Sequence, residues 1–114
     1  MKYLMYETDA RWEPHPAGIP GVEVKKLRSR ESGNYQESIA FVRVPAGSVV
    51  PVHVHPKEDD NLFILEGFAR MRVGGEEFSI GPGAQITVPA AVEHEIFAVS
   101  EELRIYNVFS PKTF

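Results

Sequence analysis

The sequence predicts an all-β protein, a sandwich or barrel of antiparallel strands, and three observations carry that prediction. Nine glycines and nine prolines recur along the 114 residues, so no stretch is left in which a helical pattern runs for three or four turns. Between these breaks lie short segments rich in β-branched and aromatic residues, several of them alternating apolar with polar. Their number, eight or nine, with a turn signal after nearly every one, belongs to a closed or two-layered all-β fold.

The elements follow in order. "DARWEPHPAGIPG" (9–21) is rich in proline and glycine and is expected to cross the surface, which makes 1–21 an N-terminal arm and 22–114 the barrel domain. "VEVKKLRSR" (22–30) alternates weakly, "SIAFVRV" (38–44) is β-branched and aromatic, and "NLFILE" (61–66) is apolar. "ARMRV" (69–73) and "EEFSI" (76–80) flank Gly74-Gly75, a dipeptide suited to the positive backbone angles of a tight primed turn, so they form a hairpin. "QITV" (85–88), "HEIFAV" (94–99) and "LRIYNVF" (103–109) complete the set.

Composition narrows the function. A chain of 114 residues supports one modest core. No apolar run approaches the ~20 residues of a membrane span, and the N-terminus lacks the pattern of a secretory signal, so the expected location is cytoplasmic. With no cysteine, disulfides, thiolate metal sites and cysteine nucleophiles are excluded, and any metal must be held by nitrogen and oxygen. The net charge of −4 comes without a basic run, which argues against nucleic acid as a partner.

Two of the four histidines, His53 and His55, stand one residue apart. On a strand that spacing sends both rings to one face, and a shared cation uses both lone pairs where two protonated rings would repel. Three acids follow at Glu58, Asp59 and Asp60.

These residues bear a family resemblance. Gly47, five residues, His53, one, His55, four, Asp60, six, Gly67 resembles the first signature of the cupin superfamily. Gly83, five residues, Pro89, one, Ala91, two, His94 is similar to the second. Together they span roughly residues 46–99. The resemblance implies a double-stranded β-helix, the cupin jelly-roll barrel, that brings the distant His94 to His53 and His55. It implies one divalent transition metal (Fe, Mn, Ni, Zn, Co or Cu), held by His53, His55, Asp60 and His94 with two adjacent positions open.

Three positions depart from the signatures. Asp60 stands where the family has glutamate, and its shorter side chain predicts a weak or water-bridged fourth ligand. Asp59 fits a shorter permitted gap from His55, but only Asp60 keeps the spacing to Gly67. Ala91 replaces a glycine, expected to matter little if its turn needs no positive angle, and Ala98 replaces a terminal asparagine that is not a ligand in the family.

Strict alternation places Leu62, Ile64, Ile96 and Ala98 on the cavity side. Arg70 and Arg72 are expected to face solvent, Arg43 either faces solvent or holds a substrate carboxylate bidentately, and either Tyr106 or Asn107 faces inward. Phe63, Phe97 and Phe109 read as core or interface aromatics, and His15, between two prolines, as a surface or dimer contact. An apolar cavity with a metal suits a small-molecule ligand or substrate that is apolar, aromatic or keto. The expected function is a metal-dependent oxygenase, with a metal-dependent isomerase or decarboxylase, or a non-catalytic ligand-binding cupin, as alternatives. The apolar arm, with Tyr3, Leu4, Tyr6 and Trp12, predicts a homodimer.

Overall fold

The structure, a computed structural model, describes residues 1–114. Its strands are β1 (Trp12–Pro14), β2 (Glu23–Arg28), β3 (Ser38–Val44), β4 (Val50–His53), β5 (Asp59–Val73), β6 (Glu76–Ile80), β7 (Gln85–Val88) and β8 (His94–Ser110). Two 3-10 turns, Glu7–Asp9 and Arg30–Ser32, are the only helical segments, and no helix is long and apolar enough to cross a membrane.

All strand pairs are antiparallel, and β5 and β8 are long because each serves both layers of the barrel. In one layer β5 from Asp59 to Ile64 pairs with β8 from Ile105 to Ser110, flanked by β7 on one side and by β3, β2 and β1 on the other. In the second layer β5 from Arg70 to Val73 pairs with β8 from His94 to Phe97, between β6 and β4. Sixteen buried residues from both layers form one apolar cluster, with Ile64, Met71 and Leu103 fully enclosed. Each such side chain stabilises the fold by roughly 1.5–3 kcal/mol relative to exposure.

The Gly74-Gly75 hairpin forms as expected, closing on Val73 opposite Glu76. The strand boundaries differ elsewhere. "NLFILE" and "ARMRV" are one strand, as are "HEIFAV" and "LRIYNVF". The joint in β5 is Gly67, at φ +93, where an added Cβ would lie 2.7 Å from the Glu102 carbonyl carbon and 2.8 Å from Leu103 Cα. Glycine is therefore a bend inside a strand here, and the β5–β8 register shifts around it. In β8 the alternation breaks at Ala98, whose φ is +49. Ala98 is exposed and Val99 is buried instead, which overturns the inward placement of Ala98.

Part of the arm is itself strand. Trp12 pairs in register with Lys25, and its ring lies under the guanidinium of Arg43 at 4.2 Å, within cation–π range. Arg43 is thereby engaged outside the barrel, where it also meets Glu23 at 2.7 Å. Arg70 and Arg72 likewise face outward, both to Glu77, with Glu95 a second partner of Arg72.

Candidate metal centre

The third histidine reaches the first two by strand pairing. His53 ends β4, His94 begins β8, and the two are direct cross-strand partners with ring centroids 4.0 Å apart. His55 lies just beyond the strand, its carbonyl accepting the Ala91 N–H at 2.8 Å. That turn puts Ala91 at φ +67, a left-handed conformation that disfavours a side chain. The condition under which Ala91 would matter little, a turn with no positive angle, is therefore not met.

Asp60, the second residue of β5, is buried and closes the group: the candidate ligand atoms of His53, His55, Asp60 and His94 all lie within 4.8 Å of one another. Its Oδ2 is 3.3 Å from Nε2 of His94 and 3.7 Å from Nε2 of His55. With metal–ligand bonds of ~2.0–2.2 Å, ligand atoms at right angles sit about 3.0 Å apart and tetrahedral ones about 3.4 Å. The 3.3 Å spacing to His94 is one that two ligands of a single ion take, and the 3.7 Å spacing to His55 is wider than either. Asp59 turns away to accept the Ala90 N–H at 2.9 Å, and Glu58 accepts the Lys57 N–H.

Hydrogen bonds behind the rings fix what they present. Nδ1 of His53 lies 2.8 Å from the Pro51 carbonyl and Nδ1 of His94 lies 3.0 Å from that of Val92. A carbonyl can only accept, so Nδ1 carries the hydrogen and, in the neutral ring, Nε2 offers its lone pair to the cluster. Nε2 of His94 is buried without a hydrogen-bond partner, a costly state that either a proton facing Asp60 or a cation relieves. Burial opposes charge on His94, but Asp60 and the Val92 carbonyl together outweigh it and raise its pKa. Burial, more than any other cause, lowers the pKa of His53 and His55. Neutral imidazoles, an orphaned nitrogen and a carboxylate at these spacings can hold a metal ion.

Asn107 resolves the register left open in the sequence. It is buried, while Tyr106 is exposed, and its amide donates to Asp60 Oδ1 at 2.6 Å and to the Asn61 carbonyl at 2.9 Å. Oδ2 is left for the cluster. Beside the four residues opens a cavity of about 270 Å³ with largely apolar walls, among them Val42, Leu62, Ile96 and Phe109. Phe109 packs edge-on to His55 with centroids 5.1 Å apart, so it is a cavity wall rather than only a core aromatic. Phe63 is exposed and Phe97 lies under Arg72.

His15, read from the sequence as a surface or dimer contact, is half-buried and also lines the cavity. Its own N–H donates to the Val22 carbonyl at 3.0 Å, and its carbonyl accepts the Gly18 N–H at 2.9 Å. These bonds fold the arm back over the barrel. No local pattern around His15 announces this, since the contact is made across the fold.

A model of the cupin domain matches residues 40–109. The chain is a cupin. This cupin is 31% identical over 99 residues to the uncharacterized protein SCO3923 of Streptomyces coelicolor, a match covering 87% of this chain and 89% of the relative. The structure of KdgF from Halomonas sp. superposes with a TM-score of 0.82 at 19% identity, covering 97% of this chain and 94% of that one. A predicted oxalate decarboxylase from Thermotoga maritima gives a TM-score of 0.80 at 23% identity, with 95% and 98% covered. At those identities the two structures establish the barrel and nothing of the activity.

Proposed function

We propose that this cupin is a metal-dependent enzyme of oxygenase type that acts on a small apolar, aromatic or keto substrate, with His53, His55, His94 and Asp60 holding one divalent transition metal. The observation that carries the reading is the convergence of four ligand atoms, one of them a buried orphan nitrogen, on a mostly apolar cavity. Bound there, iron or a related ion supplies redox and Lewis-acid chemistry at positions the side chains leave open.

The chain's own residues set the conditions. The Pro51 and Val92 carbonyls hold the His53 and His94 tautomers, and Asn107 holds the Asp60 rotamer. Valine, leucine, isoleucine and phenylalanine walls lower the local dielectric and so strengthen the polar contacts beside them. No lysine or arginine lines the cavity, which favours a neutral chelating ligand over a phosphorylated one.

Metal analysis of protein purified without a nickel column, followed by oxygen uptake with diketones, catechols and thiols, tests the proposal. His94→Ala should empty the site, and unchanged occupancy in that variant would refute the ligand set. Turnover without oxygen uptake would make the cupin an isomerase or decarboxylase, and binding without turnover a ligand-binding module. We also propose a homodimer formed across β1, the edge of the sheet, with the exposed Tyr3, Leu4 and Tyr6 of the arm adding apolar surface. A monomer in sedimentation at micromolar concentration would reject it.

A further inference from the structure

We infer that His15 is a substrate-positioning residue, whose Nε2–H donates a hydrogen bond to an acceptor oxygen of the keto ligand held in the cavity. The inference rests on the proposed function for the nature of that ligand, and on three observations for the role of the residue.

His15 lines the same cavity as the metal cluster. Its Nδ1 accepts the Ala17 N–H at 3.1 Å, and a ring nitrogen that accepts bears no hydrogen, so the proton of the neutral ring sits on Nε2. The tautomer is the reverse of that in His53 and His94, where Nδ1 faces a carbonyl. Those two rings present lone pairs, and His15 presents a proton. Burial, with His53 next in size, lowers the His15 pKa and keeps the ring neutral.

The competing donor is already engaged. Asn107 is the only side-chain amide lining the cavity, and its NH2 group is committed to Asp60 and the Asn61 carbonyl. Apart from the cluster histidines, His15 is then the side chain with a proton to give. It is also held in advance, between Pro14 and Pro16 in a turn closed by the bonds to Val22 and Gly18. Little ordering entropy remains to be lost when a ligand oxygen arrives.

Two substitutions separate this role from a structural one. In His15→Asn, the side-chain oxygen takes the place of Nδ1 and keeps the bond to Ala17, but nothing reaches as far as Nε2. In His15→Gln, the terminal amide restores a donor near the Nε2 position. Cobalt(II)-loaded protein is titrated with acetylacetone, a neutral chelating diketone, and the cobalt absorption bands report metal and ligand separately. His15→Asn should keep cobalt occupancy and thermal midpoint and lose about three- to tenfold in diketone affinity, the effect of one hydrogen bond. His15→Gln should regain most of it.

Wild-type affinity in His15→Asn would overturn the inference and leave the metal site standing, and a loss that His15→Gln fails to restore would assign the effect to arm shape and overturn it too. A wild-type protein that takes no cobalt refutes the metal reading first, and this inference falls with it. One that takes cobalt but not the diketone removes the ligand class, with the same result for His15.

Discussion

Substituting Gly67 and Gly47 by alanine in parallel tests whether the bend in β5 depends on close backbone approach. Both glycines have positive φ, +93 and +82, but Gly47 has open space where a Cβ would go, whereas Gly67 has the Glu102–Leu103 backbone within 3 Å. The left-handed conformation costs a non-glycine residue about 1–2 kcal/mol, and the stiffer unfolded chain returns about 0.4–1 kcal/mol. Gly47→Ala should therefore lose about 0–1.5 kcal/mol. Gly67→Ala adds an overpacking penalty of about 1–3 kcal/mol, because relief requires moving β8 away from β5. A total of about 1–4.5 kcal/mol is a large share of the ~5–15 kcal/mol that domains possess. At ~4 °C per kcal/mol for a chain of this size, the midpoint of Gly67→Ala should fall by about 4–18 °C, against about 0–6 °C for Gly47→Ala. Circular dichroism melts of metal-free protein measure both. Midpoints within ~2 °C of each other would refute the idea that the approach of the two strands fixes this glycine.

Three other outcomes are expected. Asn107→Leu strands the buried Asp60 Oδ1 without its donor, so metal affinity should drop about 10–100-fold in a chelator competition; an unchanged affinity would show that Asp60 needs no positioning. Ala91→Gly relieves a left-handed alanine at φ +67 against the entropy of a looser unfolded chain, so the melting midpoint should rise by up to a few degrees, worth about 0–1 kcal/mol, and a clear fall would contradict the strain. The folded pKa values of His53 and His55 are lowered from 6.5, so the unfolded chain binds their protons more readily and their contribution is complete above pH 6.5 and lost as pH falls through the lowered values. His94, raised, has the opposite sign. His15 is lowered as well, so with three groups against one, metal-free protein should melt lower at pH 5 than at 6.5, and a flat profile would count against the burial of these rings.

The sequence makes the chemistry of the site more legible than its surroundings. His53 and His55 stand out by spacing, and His94 and Asp60 by their place in the two signatures, because ligand spacing is a property of the chain itself. The choice of Asp60 over Asp59 rested on the distance to Gly67, and it is Asp60 that turns inward. Asn107 stayed ambiguous because alternation gives two faces without saying which is inside, and the left-handed Ala98 interrupts that alternation within the same strand. β1 was hidden because three residues ending in a proline show no period. His15 is out of reach for another reason: its N–H closes the local β1–β2 hairpin on the Val22 carbonyl, but which side chain of that hairpin turns into the cavity depends on how the hairpin sits against the rest of the barrel.

The bent ribbon of β5 and β8 has a kinetic meaning. Asp60 pairs with Phe109 at one end of the ribbon, and His94 pairs with Val73 at the other. Residues 60 and 73 are thirteen steps apart, so a straight ribbon would part them by about 40 Å at ~3.3 Å per residue. In the folded chain the side chains of Asp60 and of His94, the partner of Val73, approach to 3.3 Å. His53 and His94 meet by β4–β8 pairing alone, but Asp60 joins them only after the ribbon has doubled back, so a half-formed barrel offers a cation imidazoles without the carboxylate that completes the set. An ion that arrives after the rate-limiting step of folding acts as a latch rather than a template: it should slow the opening of the barrel while leaving the speed of its closure almost untouched.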